Sequence, residues 1–473
     1  MIGITSCGAY IPFHRLSKAD VAKAWGGPPV RGEKAVANFD EDSLTMAVAA
    51  CRDCVSDIDP KAVDSLYFAS TTFPYKEKQS ASVVAMAVDV DKEAFTVDLS
   101  NSLRSGASGV KMAMDAVKGG SSKNALVCAA DIRLSYPNGT KEMEFGDGAG
   151  ALLIGDGDVI ATIDSVYTVY NELIDIYRSQ EDVYVRSSEE RFVREEGYTR
   201  VIVEAVASAL KNCNMTPQDF TRFICNVPNA SLLGNIAKKL GFDPKTQVKT
   251  ALLENVGNTG AALSLMMLVE AFEEANPGDK LIWVTYGDGC DVYMLTVTDK
   301  IAKIKDKKGI KKHLESKRAL PTYEKYLRFR DILITEPPSR PPLERPSAVA
   351  LWRDNMGGLA LYGVKCNACG TPQYPAQRVC MRCHAKDNFT PYPLANLPAK
   401  VTTFSQDNLA ASVDPPSTVC AVDFAGGGRI MCDMTDRDPD QVVVEMPVEM
   451  TFRMVRSIAS VRNYWWKCQP IRC

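Results

Sequence analysis

The sequence predicts an α/β fold made of two copies of one unit across residues 1–300, followed by a cysteine-knuckle module and a small β-barrel. Three observations predict the duplicated part. Phe145-Gly-Asp-Gly148 runs into the apolar stretch 149–154, and Tyr286-Gly-Asp-Gly289 runs into a similar one at 292–297. Upstream of each copy, a short strand, a turn and a helix opened by small residues recur at 97–117 and 252–272, an offset of about 140 to 155 residues. Strand-like runs at 65–69, 125–130 and 281–286 alternate with helical stretches at 43–57, 107–117, 200–211 and 261–274. That alternation predicts a mostly parallel, buried sheet.

Composition sets the bounds. A chain of 473 residues with 24% charged and 46% hydrophobic residues has ample core for two or three domains. The net charge of −3 gives no reason to expect nucleic acid. No apolar run approaches the roughly 20 residues needed to span a bilayer. The N-terminus reads as a first strand, without a basic region and a cleavable apolar stretch. Fifteen cysteines at irregular spacings fit a reducing compartment, so a cytoplasmic location is expected.

The character changes after about Asp299. Lys303, Lys305, Lys307, Lys308, Lys311, Lys312, Lys317 and Arg318 crowd one stretch, and Pro337, Pro338, Pro341, Pro342 and Pro346 follow. This reads as a docked basic helix and an extended linker over 301–346. The lysines suit a solvated face; the alternative is attraction of an anionic nucleotide tail.

Cys366-Asn-Ala-Cys369 and Cys380-Met-Arg-Cys383 form two CxxC knuckles. Four thiolates at this spacing wrap a tetrahedral zinc and leave no open position, so the site is structural rather than catalytic. His384 adjoins the last thiol, but an all-cysteine shell is the simpler assignment. Five β-type segments follow, at 400–406, 417–424, 428–434, 442–446 and 448–455, and they predict the barrel. The knuckle module with its leading helix occupies 347–395 and the barrel 396–473. Cys51-Arg-Asp-Cys54 lies in a helical run and reads as core and surface cysteines.

Residues 1–300 resemble the thiolase superfamily, and within it the branch of hydroxymethylglutaryl-CoA synthase and ketoacyl-ACP synthase III. The resemblance rests on Gly8-Ala-Tyr-Ile-Pro12, the segment 98–109, Phe145-Gly-Asp-Gly-Ala-Gly150, Gly257-Asn-Thr-Gly260 and the strand 278–287. Asp175-Ile-Tyr-Arg178 followed by Tyr198-Thr-Arg looks more like the synthase. Residues 347–473 resemble the rubredoxin-like zinc ribbon and OB-fold protein that accompanies such enzymes, here fused. The resemblance implies a duplicated, five-layered αβαβα fold and a coenzyme A ester as ligand.

It also implies three catalytic residues, and this chain departs from each. The acyl-carrying cysteine opens a buried helix, where the helix N-terminus lowers its pKa. The matching segment, Asn101 to Gly109, holds Leu103 there. Ser102 and Ser105 are near, with no base evident. The family's histidine aligns with Asn226; the chain's three histidines, His14, His313 and His384, lie elsewhere. The synthase glutamate aligns with Thr71, and Glu77 is the one nearby substitute. Asn258 alone survives, either to hydrogen-bond a substrate carbonyl or to hold its own loop. Cys225 and Cys290 read as small buried hydrophobes.

Two functions follow. In the first, the chain is an accessory subunit that has lost the Cys/His/Glu machinery. It pairs in a dimer-based hetero-oligomer with a catalytically competent thiolase-superfamily subunit, and the complex makes or cleaves C–C bonds of acyl-CoA in Claisen-type chemistry. In the second, it is a self-sufficient acyl-CoA lyase or acyltransferase that uses Asn258, Asn226 and Ser102 without covalent acylation.

Overall fold

The computed structural model describes residues 1–336, 347–458 and 461–472, so the prolines from Pro337 to Pro346 lie outside the described residues. The chain divides into two compact units: Met1–Ala37, Asp42–Ala85 and Val90–Tyr323 form the first, and Asn38–Glu41, Met86–Asp89 and Glu324–Cys473 the second.

The first unit is organised by nine strands: β1 (Gly3–Tyr10), β2 (Ser65–Ala69), β3 (Phe95–Leu99), β4 (Asn124–Asp131), β5 (Gly148–Gly155), β6 (Ala161–Tyr170), β7 (Arg222–Cys225), β8 (Lys280–Tyr286) and β9 (Gly289–Val297). They form one sheet in the order β7-β8-β9-β6-β1-β5-β4-β2-β3. Its centre is the short antiparallel seam between β1 and β6, Gly3 opposite Thr162 and Ile4 opposite Ala161. Outward from β1 the neighbours run antiparallel, antiparallel, then parallel, and outward from β6 they do the same. Beyond β2 stands β3; beyond β7, Phe223 N–H donates to Gln247 O at 2.8 Å in the corresponding place. The two halves share one wiring.

The sheet is mixed, which corrects the mostly parallel expectation. Only β4–β2, β2–β3 and β7–β8 run parallel. The reason is local: just Gly287 and Asp288 join β8 to β9, and so short a connection can only join antiparallel strands. Asp288 turns there at φ 50°.

Five helices complete the layers: α1 (Ser43–Cys54), α2 (Ser105–Lys118), α3 (Arg200–Cys213), α4 (Ala230–Leu240) and α5 (Leu263–Glu274). Asp42 caps α1 in a reciprocal box with Thr45, which satisfies amides that the first turn leaves bare. α5 is buried from Leu263 to Phe272 and touches β5 and β1 of one half and β7 and β8 of the other. It therefore lies between the half-sheets. α2 shares that layer, because Tyr293 of β9 donates to Ala107 O at 2.8 Å. Outside are α1, against β1 and β5, and α3, against β9 and β6. The close layering needs small residues. A Cβ on Gly106 would sit 2.8 Å from Leu265 Cδ1, and one on Gly150 2.9 Å from Leu265 Cβ.

The basic stretch is split into a 3-10 turn, Asp299–Ile304, and a short helix, Lys311–Glu315. Glu273 resets the chain between them by accepting the Ile310 and Lys311 amides. Four of the lysines bond within the chain: Lys303 pairs with Asp158 at 2.8 Å, Lys307 reaches Asp57 at 2.6 Å and the Asp53 and Cys54 carbonyls, Lys312 donates to Asp306 O at 3.1 Å, and Lys317 pairs with Glu33.

One carboxyl of α5 sets a pH dependence. Glu270 is 9% exposed, and burial first, then Glu274, pushes it up to about 7 from 4.5. Between those values the unfolded chain ionises while the folded chain holds its proton, so this group lowers stability as pH rises through that window. Glu270→Gln is expected to stabilise the protein at pH 8 by about 1–3 kcal/mol and to be near neutral at pH 4.5. Thermal melts of both proteins at the two pH values check this; equal melting temperatures at pH 8 would refute it.

In the second unit the ribbon pairs β10 (Tyr362–Cys366) with β11 (Pro372–Gln373) and β12 (Phe389–Pro393). The barrel strands are β13 (Ala399–Asp407), β14 (Ser417–Phe424), β15 (Arg429–Asp433), β16 (Pro447–Ile458) and β17 (Val461–Pro470), in the order β15-β14-β13-β16-β17, all antiparallel. Met434 and Thr435 bridge back to Cys468 and nearly close the barrel. The expected strand at 442–446 is not one. Val443 and Val444 are exposed and Glu445 turns at φ 67°. The fifth strand is β17, which has no inside–outside alternation because Trp466, Lys467, Cys468 and Gln469 are all buried.

Candidate functional site

The loop before α2 turns at Asn101, φ 70°. Leu103 stands in it, half-buried, and offers only hydrocarbon. Ser102 Oγ donates to Gly287 O at 3.1 Å. Arg104 ties the loop to the second half through Asp291 at 2.9 Å, Val169 O and Asp288 O. Ser105 Oγ is buried without a hydrogen-bond partner among the described residues.

Asn226, at the end of β7, gives both ends of its amide to one residue. Its Nδ2 donates to Tyr286 O at 3.1 Å, and its Oδ1 accepts from Tyr286 N–H at 2.6 Å. Thr71, after β2, donates to Asp131 from its amide at 2.7 Å and its hydroxyl at 3.0 Å. Asp131 also accepts from Ser70, Thr72 and the Ala261 amide. Asn258 accepts the Gly260 amide at 3.0 Å. The four positions form one neighbourhood: Leu103 and Asn226 meet at Tyr286-Gly287, Thr71 and Asn258 meet at Asp131 and Gly260, and Gly106 packs on Ala261 between them.

The substitutes are elsewhere. Glu77 is exposed on its loop. Cys225 and Cys290 are buried, and burial pushes their thiols up, away from reactivity. His313 packs edge-on against Tyr10 with its Nδ1 2.6 Å from Gly309 O, His14 is buried beside Phe13, and His384 is exposed in the ribbon.

Beside Asn258, Tyr198 of the synthase-like motif is joined by residues that the motifs did not single out. A cavity of about 390 Å3 is walled by Lys141, Glu144, Arg194, Tyr198 and Asn229, among others. Arg133 lies 4.2 Å over the Phe145 ring, and burial lowers its pKa. The Tyr198 ring packs at a tilt with its centroid 4.3 Å from that of Tyr286, whose hydroxyl donates to Asp175 at 2.9 Å. One signal was available in the sequence. Glu144 directly precedes the first Gly-Asp-Gly motif's Phe145, where the second copy has the neutral Thr285 before Tyr286.

In the ribbon, the four thiols of Cys366, Cys369, Cys380 and Cys383 lie within 4.8 Å of one another, two pairs at 3.6 Å. Tetrahedral zinc with Zn–S of about 2.3 Å spaces its sulfurs by about 3.8 Å, so the donor set fits. Cys380 Sγ accepts the Arg382 and Cys383 amides, the donors a knuckle directs at a thiolate. The Thr371 hydroxyl and amide hold Cys369 down to about 6. His384, at φ 61°, is not one of the clustered ligands.

Among the described residues, no helix is long and apolar enough to cross a membrane. Residues 97–168 match the family model of 3-oxoacyl-[acyl-carrier-protein] synthase III, and 210–298 that of its C-terminal part. Residues 360–389 match the ChsH2 rubredoxin-like zinc ribbon domain and 390–453 the ChsH2 C-terminal OB-fold domain. A solved structure of HMG-CoA synthase complexed with CoA has the same fold, with TM-score 0.63 and 19% identity over 69% of this chain and 89% of that one. The 3-oxoacyl-[acyl-carrier-protein] synthase III of Aquifex aeolicus superposes with TM-score 0.57 and 21% identity, covering 63% of this chain and all 100% of that one. The hydroxymethylglutaryl-CoA synthase of Methanocaldococcus jannaschii is 30% identical over 341 residues, 70% of this chain and 99% of that protein. The chain therefore belongs to the hydroxymethylglutaryl-CoA synthase family of the thiolase-like fold, and carries a ChsH2-type zinc ribbon and OB-fold behind it.

Proposed function

We propose that this chain handles acyl-CoA without becoming acylated. It acts as the accessory subunit of a hetero-oligomer whose partner is a catalytically competent thiolase-superfamily chain, in Claisen-type condensation or its thiolytic reverse. One match carries the reading: the resemblance aligns Leu103 with the nucleophile, and Leu103 stands on the loop that Arg104 anchors to Asp291. A side chain without a lone pair forms no thioester. The polar replacements point the same way, since Asn226 and Thr71 are committed to Tyr286 and Asp131. Those bonds, and that of Ser102 to Gly287 O, weigh against the self-sufficient enzyme.

The edge of the sheet supports pairing. β3 is an edge strand with Phe95 60% exposed, and Met112 on α2 is exposed too. An edge that presents unpaired backbone and apolar side chains is a site for a second chain. Zinc at Cys366, Cys369, Cys380 and Cys383 is structural, a closed shell with no place for substrate.

Incubation with acetyl-CoA or acetoacetyl-CoA is expected to leave the intact mass unchanged, and co-expression with a competent thiolase-superfamily subunit is expected to give one co-eluting, active complex. An adduct on Ser102 or Ser105, or turnover of an acyl-CoA by the chain alone, would overturn this reading.

A further inference from the structure

Glu144 lines the 390 Å3 cavity together with Tyr198, Asn229 and Arg194. Its backbone is tied to the Asn258 loop, because Asn258 N–H donates to Glu144 O at 2.7 Å and Phe145 bridges Asn258 in parallel. The Asn258 side chain lies beside the carboxyl and favours its charged form. One carboxyl oxygen, Oε1, is sealed from solvent and has no hydrogen-bond partner among the described residues. A buried carboxylate oxygen without a donor is unfavourable, so the site favours the protonated form of the group. Burial is the largest influence and raises the carboxyl above its ordinary 4.5, against the pull of Lys141 and Arg133 and with Glu190 adding to the rise. A protonated carboxyl is a hydrogen-bond donor, and the terminal torsion of glutamate is soft, so the O–H can turn into the cavity without moving the stem. The wall opposite is a π-helical turn, Val193–Thr199, that brings Val193, Arg194 and Tyr198 to the same space.

We propose that Glu144 is a ligand-binding residue of this chain, donating a hydrogen bond from its carboxyl to a carbonyl oxygen of an acyl-CoA held in the cavity. The carbonyl belongs to the thioester or to a pantetheine amide. The inference rests on the acyl-CoA reading above. The titratable groups that face this carboxyl or share its cavity are Lys18 from the helix Lys18–Ala24, Arg133 after β4, Lys141 in the next loop, and Glu190, Arg194 and Tyr198 from the segment 190–199. None is a histidine.

The test is calorimetric titration of the full chain with acetyl-CoA and, separately, with CoA between about pH 5 and pH 9, for wild type, Glu144→Gln and Glu144→Ala. Glu144→Ala is expected to weaken acetyl-CoA about tenfold or more at the acid end. Glu144→Gln keeps an N–H donor and is expected to stay within about threefold there. The ratio of wild-type to Glu144→Gln affinity falls as pH rises, because the ionised carboxyl has lost its donor. A loss confined to acetyl-CoA places the bond on the thioester; an equal loss for CoA places it on a pantetheine amide. Equal binding by wild type and a folded Glu144→Ala removes the role of Glu144 and leaves the acyl-CoA reading standing. If Glu144→Ala does not fold, a pH-independent ratio of wild type to Glu144→Gln overturns the proposal instead. Wild-type protein that binds neither probe overturns both.

Discussion

Replacing Cys380 with serine will strip the zinc and unfold the ribbon. The module has three short strands, and its buried centre is little more than Leu361, Cys366, Cys380 and Leu394. So small a core does not hold a fold by apolar burial, and the metal stands in for it. Binding of structural zinc contributes about 10–16 kcal/mol to folding in modules of this kind, more than the ribbon has without it. Serine keeps roughly the size of the side chain but not the thiolate, and it leaves the Arg382 and Cys383 amides a neutral hydroxyl in place of a charged acceptor. The expected result is about one zinc per chain in the wild type and well under one in the variant. Residues 360–389 should become open to protease at the same time. Full zinc in the variant, or little zinc in the wild type, would refute the assignment.

Asp40→Ala will cost about 3–5 kcal/mol, because it takes a buried carboxylate away from two buried cations, Lys467 and Arg453. Asp40 is fully buried and belongs to the second unit with the barrel. It takes Lys467 Nζ at 2.9 Å and Arg453 at 3.3 Å, and the same guanidinium reaches Glu41 at 2.8 Å, Asp436 at 2.5 Å and Gln469 at 3.1 Å. Burial alone would raise the Asp40 carboxyl; the charges of Lys467 and Arg453 outweigh it and hold the group below 3.8. A depressed acid contributes stability above its ordinary pKa and loses it as pH falls through the folded value, so the barrel is expected to be acid-labile below about pH 4. Denaturant unfolding followed by tryptophan fluorescence, with Trp465 and Trp466 reporting from β17, measures both effects. A loss under about 1 kcal/mol would mean the cluster is replaceable.

Much of the molecule was legible before folding because its signals are local. The two Gly-Asp-Gly motifs, the apolar runs that became β5 and β9, and the CxxC knuckles each announce themselves within about a dozen residues. Short β-type runs parted by turn residues located β13, β14, β15 and most of β16 for the same reason. Leu103 at the start of α2 was readable from the glycines that frame it, Gly106 and Gly109.

What required the tertiary structure was whatever depends on partners far along the chain. β17 went unread because both its faces are buried, which erases the period of two. The segment Val442 to Met446 carries valines but finds no continuous strand to pair with. Asn38–Glu41 looks like any loop, yet its carboxylates answer Arg453 and Lys467 more than 400 residues later. Asn226 is an ordinary polar residue until Tyr286, 60 positions on, uses both ends of its amide. Glu144 becomes a buried acid only when Asn258 and Tyr198 close around it. Sequence alone determined the copies and the metal knuckles, and showed a leucine at position 103, each written in neighbouring residues. Burial and long-range hydrogen bonding are properties of the folded chain, and they decided which polar side chains are occupied by the scaffold and which face the cavity.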